Sequence, residues 1–340
     1  MAPSAPIPTL DDVARAAGVS TATVSRCLNT PASVAEVTRS KVMMAVEALG
    51  YTPNFNARAM AAKRSHTIGA IIPTMENAIF ARGLQAFQEA LHGAGYNLMV
   101  SSSAYRPDLE AEQIKSLIAR GADGLLLIGY ERDPEIYAYL ARRDVPVVLA
   151  WAYQEGRAHA CVGFDNRAAM AGLTRQILAQ GHRHLAMISG IASGNDRAAA
   201  RIEGVRDTLV GAGLPAQDLP LTEVPYDIDK GAAAFAQMMQ RSPAPTAVIC
   251  GNDVLAAGAL RQARAMGLRV PQDVSITGFD DIELASILEP PLTTVHVPHW
   301  DMGQAAARDL IAMIETQKQP PKRALETRVV MRGSLGPAPA

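Results

Sequence analysis

Aromatic residues are scarce in this 340-residue chain, at 5%, and cysteine is scarcer still. Cys27, Cys161 and Cys250 stand far apart in apolar surroundings with no CxxC spacing, which excludes a disulfide framework and a cysteine-based metal set and leaves them as small core residues. No apolar run approaches the roughly 18 residues of a membrane span, and the opening MAPSAPIP lacks the basic flank and apolar core of a signal peptide, so a cytosolic protein with no membrane partner is expected. Catalytic signatures are missing too. There is no GxSxG elbow, no HExxH, and no phosphate loop with its lysine and hydroxyl. GIASGN follows a strand without dinucleotide spacing, and the adjacent Asp280 and Asp281 need not converge on a substrate as an acid/base pair would. The expectation is a non-enzyme without cofactor or metal.

Charge of one sign is also lacking overall, with 32 Lys and Arg against 33 Asp and Glu, but its distribution is uneven. Residues 1–64 hold seven basic groups (Arg15, Arg26, Arg39, Lys41, Arg58, Lys63, Arg64) against four acids, a local +3 that leaves −4 for the remainder. A modest positive end fits phosphate contact without proving it. The length exceeds one average domain, and after a headpiece of about 60 residues it leaves enough chain for two lobes with sizeable cores.

The positive end carries the most informative stretch, TLDDVARAAGVSTATVSRCLN at residues 9–29. Leu10, Val13, Ala14 and Ala17 fall at helical spacing, with Asp11 and Asp12 in the first turn, where the helix dipole favours negative charge. Gly18 is placed as a terminating glycine, and Ser20 is a good cap for a second helix over residues 21–26. Two short helices about a tight turn make a helix-turn-helix, although a plain helical hairpin fits the same pattern. With Val24 turned inward, Thr21, Ala22, Ser25 and Arg26 point out from a narrow surface suited to the major groove, where Arg26 can fork onto guanine. A third helix is expected over residues 38–49, ending at Gly50, followed by YTPN and NFNARAMAAK.

This ordered set, from TLDDVARAAGVSTATVSRCLN through YTPN to NARAM, resembles the DNA-binding headpiece and hinge of the lactose/galactose repressor (LacI-type) family. The resemblance implies that Thr21, Ala22 and Arg26 face operator bases. Thr9, Ser20, Thr23, Ser25, Asn29, Tyr51 and Asn54 would then sit near phosphates. It further implies a hinge helix near residues 54–62 that includes Ala57 and folds on the operator beside that of its dimer mate. Met60 stands where family members wedge a leucine into the minor groove; methionine is long and apolar enough for that role but more flexible, and it reads alternatively as a linker residue.

From Ser65 the pattern becomes strands alternating with helices. Strands are expected at 67–73, 96–103, DGLLLIG and VPVVLA, with helices at 79–93, 108–120 and 134–143 between them. The rhythm restarts at CVGFD. Helices at 166–180, 196–211, 229–240 and 254–266 then alternate with HLAMISG, LTEVP, TAVICG and DVSITGFDD, and a helix at 301–315 and a strand in LETRVVMRGS close the chain. Two such α/β lobes resemble the periplasmic-binding-protein-like core that follows the headpiece in this family. The fold class expected is thus an all-α helix-turn-helix headpiece (1–53), a hinge (54–65) and a core (66–340) of two doubly wound parallel-sheet lobes. The N-lobe would take residues 66–164 and 297–323, the C-lobe 165–294 and 325–335, with crossings near Asp165, 293–298 and 322–326.

Ligands of open parallel sheets bind outside the carboxyl ends of the strands, and here two such edges would face each other. Those ends deliver Met75 and Asn77, Phe80, Trp151, Phe164, Arg201, Asn252 and Asp280, with Asp253 and Asp281 beside them. Phe80 and Trp151 offer apolar faces for a sugar, while Arg201, Asn252 and Asp280 offer hydrogen bonds to hydroxyls. The resemblance places Phe80, Trp151, Phe164, Arg201, Asn252 and Asp280 in the effector site. The alternatives are core positions for Phe80 and Phe164, helix caps for Asp253 and Asp281, and a surface ion pair for Arg201. Ala150 replaces an aspartate of several family members, and Val297 replaces a glutamine of some, so the pocket is expected to be retuned. VGFDN and GHRHLA resemble stretches in regulators of sugar acids, and Arg201 with His159, His296 or His299 could hold a carboxylate.

The reading that follows is a regulator, most plainly a repressor, that binds a pseudo-palindromic operator as a homodimer and responds to a small polar effector such as a sugar, glycoside or sugar acid. The ending GSLGPAPA has no apolar heptad, so the tetramer-forming tail of some relatives is not expected, and helices at 79–91 and 254–266 are candidates for the dimer interface. A regulator run by a protein co-repressor and a solute-binding protein are the alternatives.

Overall fold

The computed structural model describes residues 7–52, 64–76 and 78–339. Two compact units divide the chain, Met1–Ser65 and His66–Ala340. The hinge positions Asn54, Ala57 and Met60, and the cleft position Asn77, lie outside the described residues.

The first unit is built from α1 (Leu10–Ala17), α2 (Thr21–Asn29) and α3 (Glu36–Leu49). Thr9 and Asp12 form a reciprocal capping box at the start of α1, and Gly18, at φ 66°, closes it in a left-handed conformation that a side chain would strain. Val13, Ala14, Val24, Cys27, Val42 and Ala45 form its small core. Helix α3 starts two residues earlier than the sequence pattern indicates. The turn Pro31–Ser33 is closed when the Ser33 hydroxyl donates to the Thr30 carbonyl at 2.7 Å, which frees Glu36 to enter the first helical turn.

The second unit begins with β1 (Thr67–Ile72), α4 (Ala81–Gly93), β2 (Asn97–Ser102), α5 (Pro107–Ala119), β3 (Gly124–Ile128), α6 (Pro134–Arg142), β4 (Val147–Ala150) and β5 (Cys161–Gly163). It continues with α7 (Asn166–Ala179), β6 (Leu185–Gly190), α8 (Asp196–Gly211), β7 (Leu221–Val224), α9 (Ile228–Met238), β8 (Ala247–Cys250), α10 (Asp253–Ala265) and β9 (Ser275–Thr277). The last elements are α11 (Glu283–Ile287), β10 (Thr294–His296), α12 (His299–Thr316), β11 (Arg323–Ala324) and β12 (Arg328–Val330). One parallel sheet runs β2-β1-β3-β4-β5-β11 and the other β7-β6-β8-β9. β1, β3 and β4 are buried along their whole length, as their unbroken apolar runs require of strands covered by helices on both faces.

The order of the first sheet reverses between β1 and β3, and that of the second between β6 and β8. At such points successive connections leave on opposite faces and a crevice opens at the strand ends. The chain passes between the lobes three times, after β5, through β10, and between β11 and β12; β10 and β12 pair antiparallel. The strand expected in LETRVVMRGS is Arg328–Val330, and the two-residue strand just before that stretch has no counterpart in the sequence pattern. Arg323 and Ala324 extend the first sheet beside β5, and Arg328–Val330 pairs with β10, because a chain crossing lobes at this point cannot pair with a single sheet throughout. The short helix α11 has no counterpart in the sequence reading. The tail folds back on the second lobe, where the Gly336 carbonyl meets His182 Nε2 at 3.0 Å and Leu335 is buried.

Helix α12 returns to the first lobe and packs on α4 through glycines. A Cβ on Gly303 would overlap the Gly83 carbonyl, and one on Gly83 would overlap the Trp151 ring. Gly303→Ala should therefore cost about 1–3 kcal/mol through overpacking against backbone. Gly93→Ala, at the open end of α4 where a Cβ meets nothing, should leave stability unchanged or slightly raised. Urea unfolding of both variants checks the pair, and equal midpoints would refute the glycine contact.

Candidate DNA-reading surface and interlobe site

In the first unit Val24 and Cys27 anchor α2 inward, which leaves Ala22, Arg26 and Asn29 exposed and Thr21, Thr23 and Ser25 half-buried. The Ser20 hydroxyl caps α2 by accepting from Thr23 N–H at 3.2 Å, and Thr9 donates its hydroxyl to Asp12 at 2.6 Å. These groups thus hold the helix ends as well as standing on the candidate phosphate surface. Asn29 Nδ2 donates to Ser25 Oγ at 3.2 Å, and Tyr51 packs on the small core.

In the second unit a closed ring of hydrogen bonds spans the lobes. Arg201, on α8 and only 5% exposed, donates Nε–H to Asn166 Oδ1 at 2.8 Å, Nη1–H to the Gly251 carbonyl at 2.7 Å and Nη2–H to Asp280 Oδ1 at 3.3 Å. Its guanidinium lies 3.7 Å from the centroid of the Phe279 ring, which in turn stacks on Phe164. Asn166 Nδ2 donates across to the Trp151 carbonyl at 3.0 Å. Trp151 Nε1–H donates to His299 Nδ1 at 3.1 Å, and His299 Nε2 lies 3.2 Å from the Asp280 carbonyl oxygen. An indole nitrogen only donates, so His299 Nδ1 accepts and Nε2 carries the proton: the ring requires a neutral imidazole. Burial pushes the His299 pKa down to about 4 and that of Asp280 up to about 6, the latter despite the opposing pull of Arg201.

Beside this ring lies a cavity of about 20 Å³, room for a water molecule but not for a sugar. Phe80, Trp151, Arg201 and Asp280 line it, as the strand-end argument requires, and Asp280 Oδ2 is buried there without a partner. Phe80 and Trp151 meet edge to face at 5.3 Å, so they pack on each other at this closure. Phe164 and Asn252 sit one layer behind: Phe164 under Phe279, Asn252 as the fully buried cap of α10 with Nδ2 unpartnered. Met75 is 59% exposed and outside the lining.

Several alternatives resolve. Arg201 is no surface residue. Asp253 accepts from Thr294 Oγ1 at 2.6 Å and Ile282 N–H at 2.9 Å, while Asp281 holds His296 and Arg332, so both tie the crossing strands instead of capping helices. None of the three histidines offers a cation to a carboxylate in the cleft. His159 stacks on Tyr137, His296 is bound to Asp281, and His299 is held neutral by its two partners. Ala150 and Val297 are buried and apolar, so the polar groups that some family members carry there are gone.

Four lining residues escaped the strand-end reading as individuals: Tyr105, Asn195, Arg197 and Tyr226. Tyr105 and Tyr226 follow β2 and β7 by a few residues, and the same rule carried that far would have found them. Their rings meet across the cleft at 5.6 Å. The lobes also join where Asp196 Oδ2 accepts Tyr130 N–H at 2.6 Å and Arg197 Nη1–H donates to the Ile128 carbonyl at 3.2 Å, both at the end of β3. A wider depression of about 550 Å³ near Asp165, Arg175 and Glu326 includes no residue with a buried unpartnered polar atom.

A three-helix unit with an exposed reading helix, joined in one chain to a two-lobed parallel α/β unit with a polar cleft, defines the class of DNA-binding regulators that carry a ligand-binding core. Residues 9–54 match the family described as bacterial regulatory proteins, lacI family, and residues 65–331 match periplasmic binding proteins and sugar binding domain of LacI family. The chain belongs to the LacI family and is a DNA-binding transcriptional regulator. It is 33% identical over 300 residues to catabolite control protein A of Priestia megaterium, covering 88% of this chain and 90% of that one. The lac repressor dimer bound to operator and the anti-inducer ONPF is 27% identical and superposes with a TM-score of 0.87 over 97% of this chain and 100% of that one. A transcriptional regulator CelR–cellobiose complex is 30% identical, with a TM-score of 0.71 over 96% of this chain and 99% of that one. No described helix is long and apolar enough to cross a membrane.

The opposed shifts of Asp280 and His299 predict a pH signature. Folded Asp280 keeps its proton up to about pH 6, where the unfolded chain has long released it, so its contribution to stability falls as pH rises from about 4 to 6. His299 behaves oppositely: the unfolded chain holds its proton up to about 6.5 and the folded chain only to about 4, so its contribution rises across that window. The two offset each other, each being on the order of 3 kcal/mol. Melting temperature followed from pH 4 to 7 should therefore climb more steeply in Asp280→Asn than in the unsubstituted protein, and less steeply in His299→Asn. Parallel curves would refute the shifts.

Proposed function

We propose that this regulator is a repressor that binds a pseudo-palindromic operator as a homodimer and is controlled by a small polar effector, a sugar or sugar derivative, held between the lobes. The observation that carries the effector reading is the buried, unpartnered Oδ2 of Asp280 on the cleft wall, since a carboxylate oxygen in that position is costly until a donor reaches it. Support comes from the CelR–cellobiose complex, and the lac repressor complex with operator supports the dimeric DNA reading.

On the DNA side, Arg26 and Ala22 on the exposed face of α2, with Thr21 beside them, read bases. Thr9, Ser20, Thr23, Ser25, Asn29, Tyr51 and Asn54 set the phosphate register, and Ala57 and Met60 belong to the hinge. In the cleft, Phe80, Trp151, Arg201 and Asp280 form the wall, while Phe164 and Asn252 support it from behind. Met75, exposed in the closed cleft, and Asn77 keep their sequence-based assignment. The effector works by parting or closing the lobes, a two-state change that biases the DNA-bound form. For dimerisation, α10 is buried through Leu260, so only its last turn is open to a partner. The better candidates are the outer face of α4 and the open edge β2, where Leu98, Met99 and Val100 stand half-covered in the single chain.

Operator sequences selected from random duplexes provide the test. Arg26→Ala should lose about 1–3 kcal/mol of preference for the selected site while its binding to random DNA stays nearly unchanged, both read by fluorescence anisotropy at fixed salt. Equal loss on both would remove Arg26 from base reading. Sedimentation of the free protein as a monomer at micromolar concentration would remove the dimer.

A further inference from the structure

Resting on the effector site just proposed, we infer that its ligand is an anionic polyol, a hydroxyl-bearing carboxylate of about monosaccharide size, whose anionic group is held by Arg197 while a hydroxyl reaches Asp280. The two cleft arginines differ in what they have left to give. All three nitrogens of Arg201 are committed, to Asn166, Gly251 and Asp280. Arg197, 9% exposed and on the cavity wall, uses Nη1 alone, for the Ile128 carbonyl and Asp196 Oδ1 at 3.0 Å. Its Nε and Nη2 make no hydrogen bond among the described residues. Its partner Asp196 is itself shared, because the second carboxylate oxygen accepts from Tyr130 N–H.

Arg197 is thus a largely desolvated cation with one edge of its fork unused, on the wall of a cavity that Phe80 and Trp151 also line. A planar guanidinium edge of this kind fits a carboxylate through two parallel hydrogen bonds. Asp196 already offsets part of its charge through Nη1, but a neutral sugar would bring the Nε–Nη2 edge no paired acceptor of matching shape. A cationic ligand drawn to Asp280 would have to settle within reach of Arg201, 3.3 Å from the same carboxylate, and beside Arg197. Hydroxyls are called for by the rest of the wall, where the free Oδ2 of Asp280 needs a donor and Asn195 and the two tyrosines add further polar atoms. The ligand enters by parting the lobes, since the closed cavity admits no more than a water. Nη1 of Arg197 spans that same seam, so an anion that draws on the guanidinium changes the contact holding the lobes together.

The test is isothermal titration calorimetry of the full-length protein with matched probes: a panel of six-carbon aldonates and uronates, each beside the neutral alditol or aldose with the same hydroxyls. Binding of at least one hydroxy-carboxylate, with its neutral counterpart tenfold or more weaker, is the expected result. Arg197→Gln should then lower the ratio of carboxylate affinity to neutral-counterpart affinity about tenfold to a hundredfold, the scale of one charge-assisted contact, whatever loosening of the lobes the two ligands share. Arg197→Lys, which keeps the charge, should recover part of the loss, and the melting temperatures of both variants without ligand show that they are folded. A neutral sugar that binds as well as its acid, with an affinity indifferent to Arg197, would overturn the inference and leave the effector site standing. No binding by either series to the folded protein would overturn both.

Discussion

The interlobe site depends on one buried charge. Arg201 is removed from water on α8, and a desolvated cation of this kind costs several kcal/mol unless every donor is met. Meeting them gathers segments distant in sequence: Asn166 from α7, the Gly251 carbonyl after β8, and Phe279 with Asp280 after β9. The rim of the second lobe is shaped by this requirement. Asn166 then passes the constraint to the Trp151 carbonyl, and Trp151 passes it through His299 to Asp280, so the ring closes on the residue that pairs with Arg201. Because the ring includes members from both lobes, their approach and the tautomer of His299 are settled together.

Such a ring also explains where strain is tolerated. Tyr105, Trp151 and Asp280 all line the cavity and all have positive φ, at 57°, 61° and 104°. Each conformation costs on the order of 1–3 kcal/mol for a residue with a side chain and persists only where surrounding contacts over-determine it. For Trp151 and Asp280 those contacts are the ring itself; for Tyr105 it is the facing ring of Tyr226. Strain concentrated at a seam favours a two-state response, since relief of one contact loosens those it was holding.

The sequence was most legible where chemistry is local. Thr9, Gly18 and Ser20 announce the ends of the first two helices through caps that involve only near neighbours, and the apolar runs of β1, β3 and β4 announce buried parallel strands. The rule that ligands sit at the carboxyl ends of strands placed Phe80, Trp151, Arg201 and Asp280 on one wall without any coordinates. What the pattern could not supply was depth. Phe164 and Asn252 share the strand-end position but lie behind the wall, because burial is decided by the side chains of another lobe. The histidines failed as cation candidates for a related reason, since a neutral ring follows from partners that are over a hundred residues away in the case of Trp151 and His299. β11 was hidden because Arg323 and Ala324 carry no strand pattern of their own, and their pairing beside β5 is a property of the fold.

Affinity and switching need not reside in the same residue. The contacts of Arg201 with Gly251 and Asp280 lie within the second lobe and are retained at any lobe angle, so a hydroxyl that reaches Asp280 Oδ2 finds its acceptor held the same way open or closed. The contact of Arg197 with the Ile128 carbonyl reaches the first lobe and exists only when the cleft is shut. A ligand shifts an equilibrium only by the difference between its free energies of interaction with the two states. Asp280, held in place by Arg201, therefore suits retention of a polyol, and Arg197 suits conversion of its binding into a change of lobe angle. Any polyol parts the lobes by its size, since the closed cavity holds only a water; one that ignored Arg197 would do so without recruiting the guanidinium to the parted form.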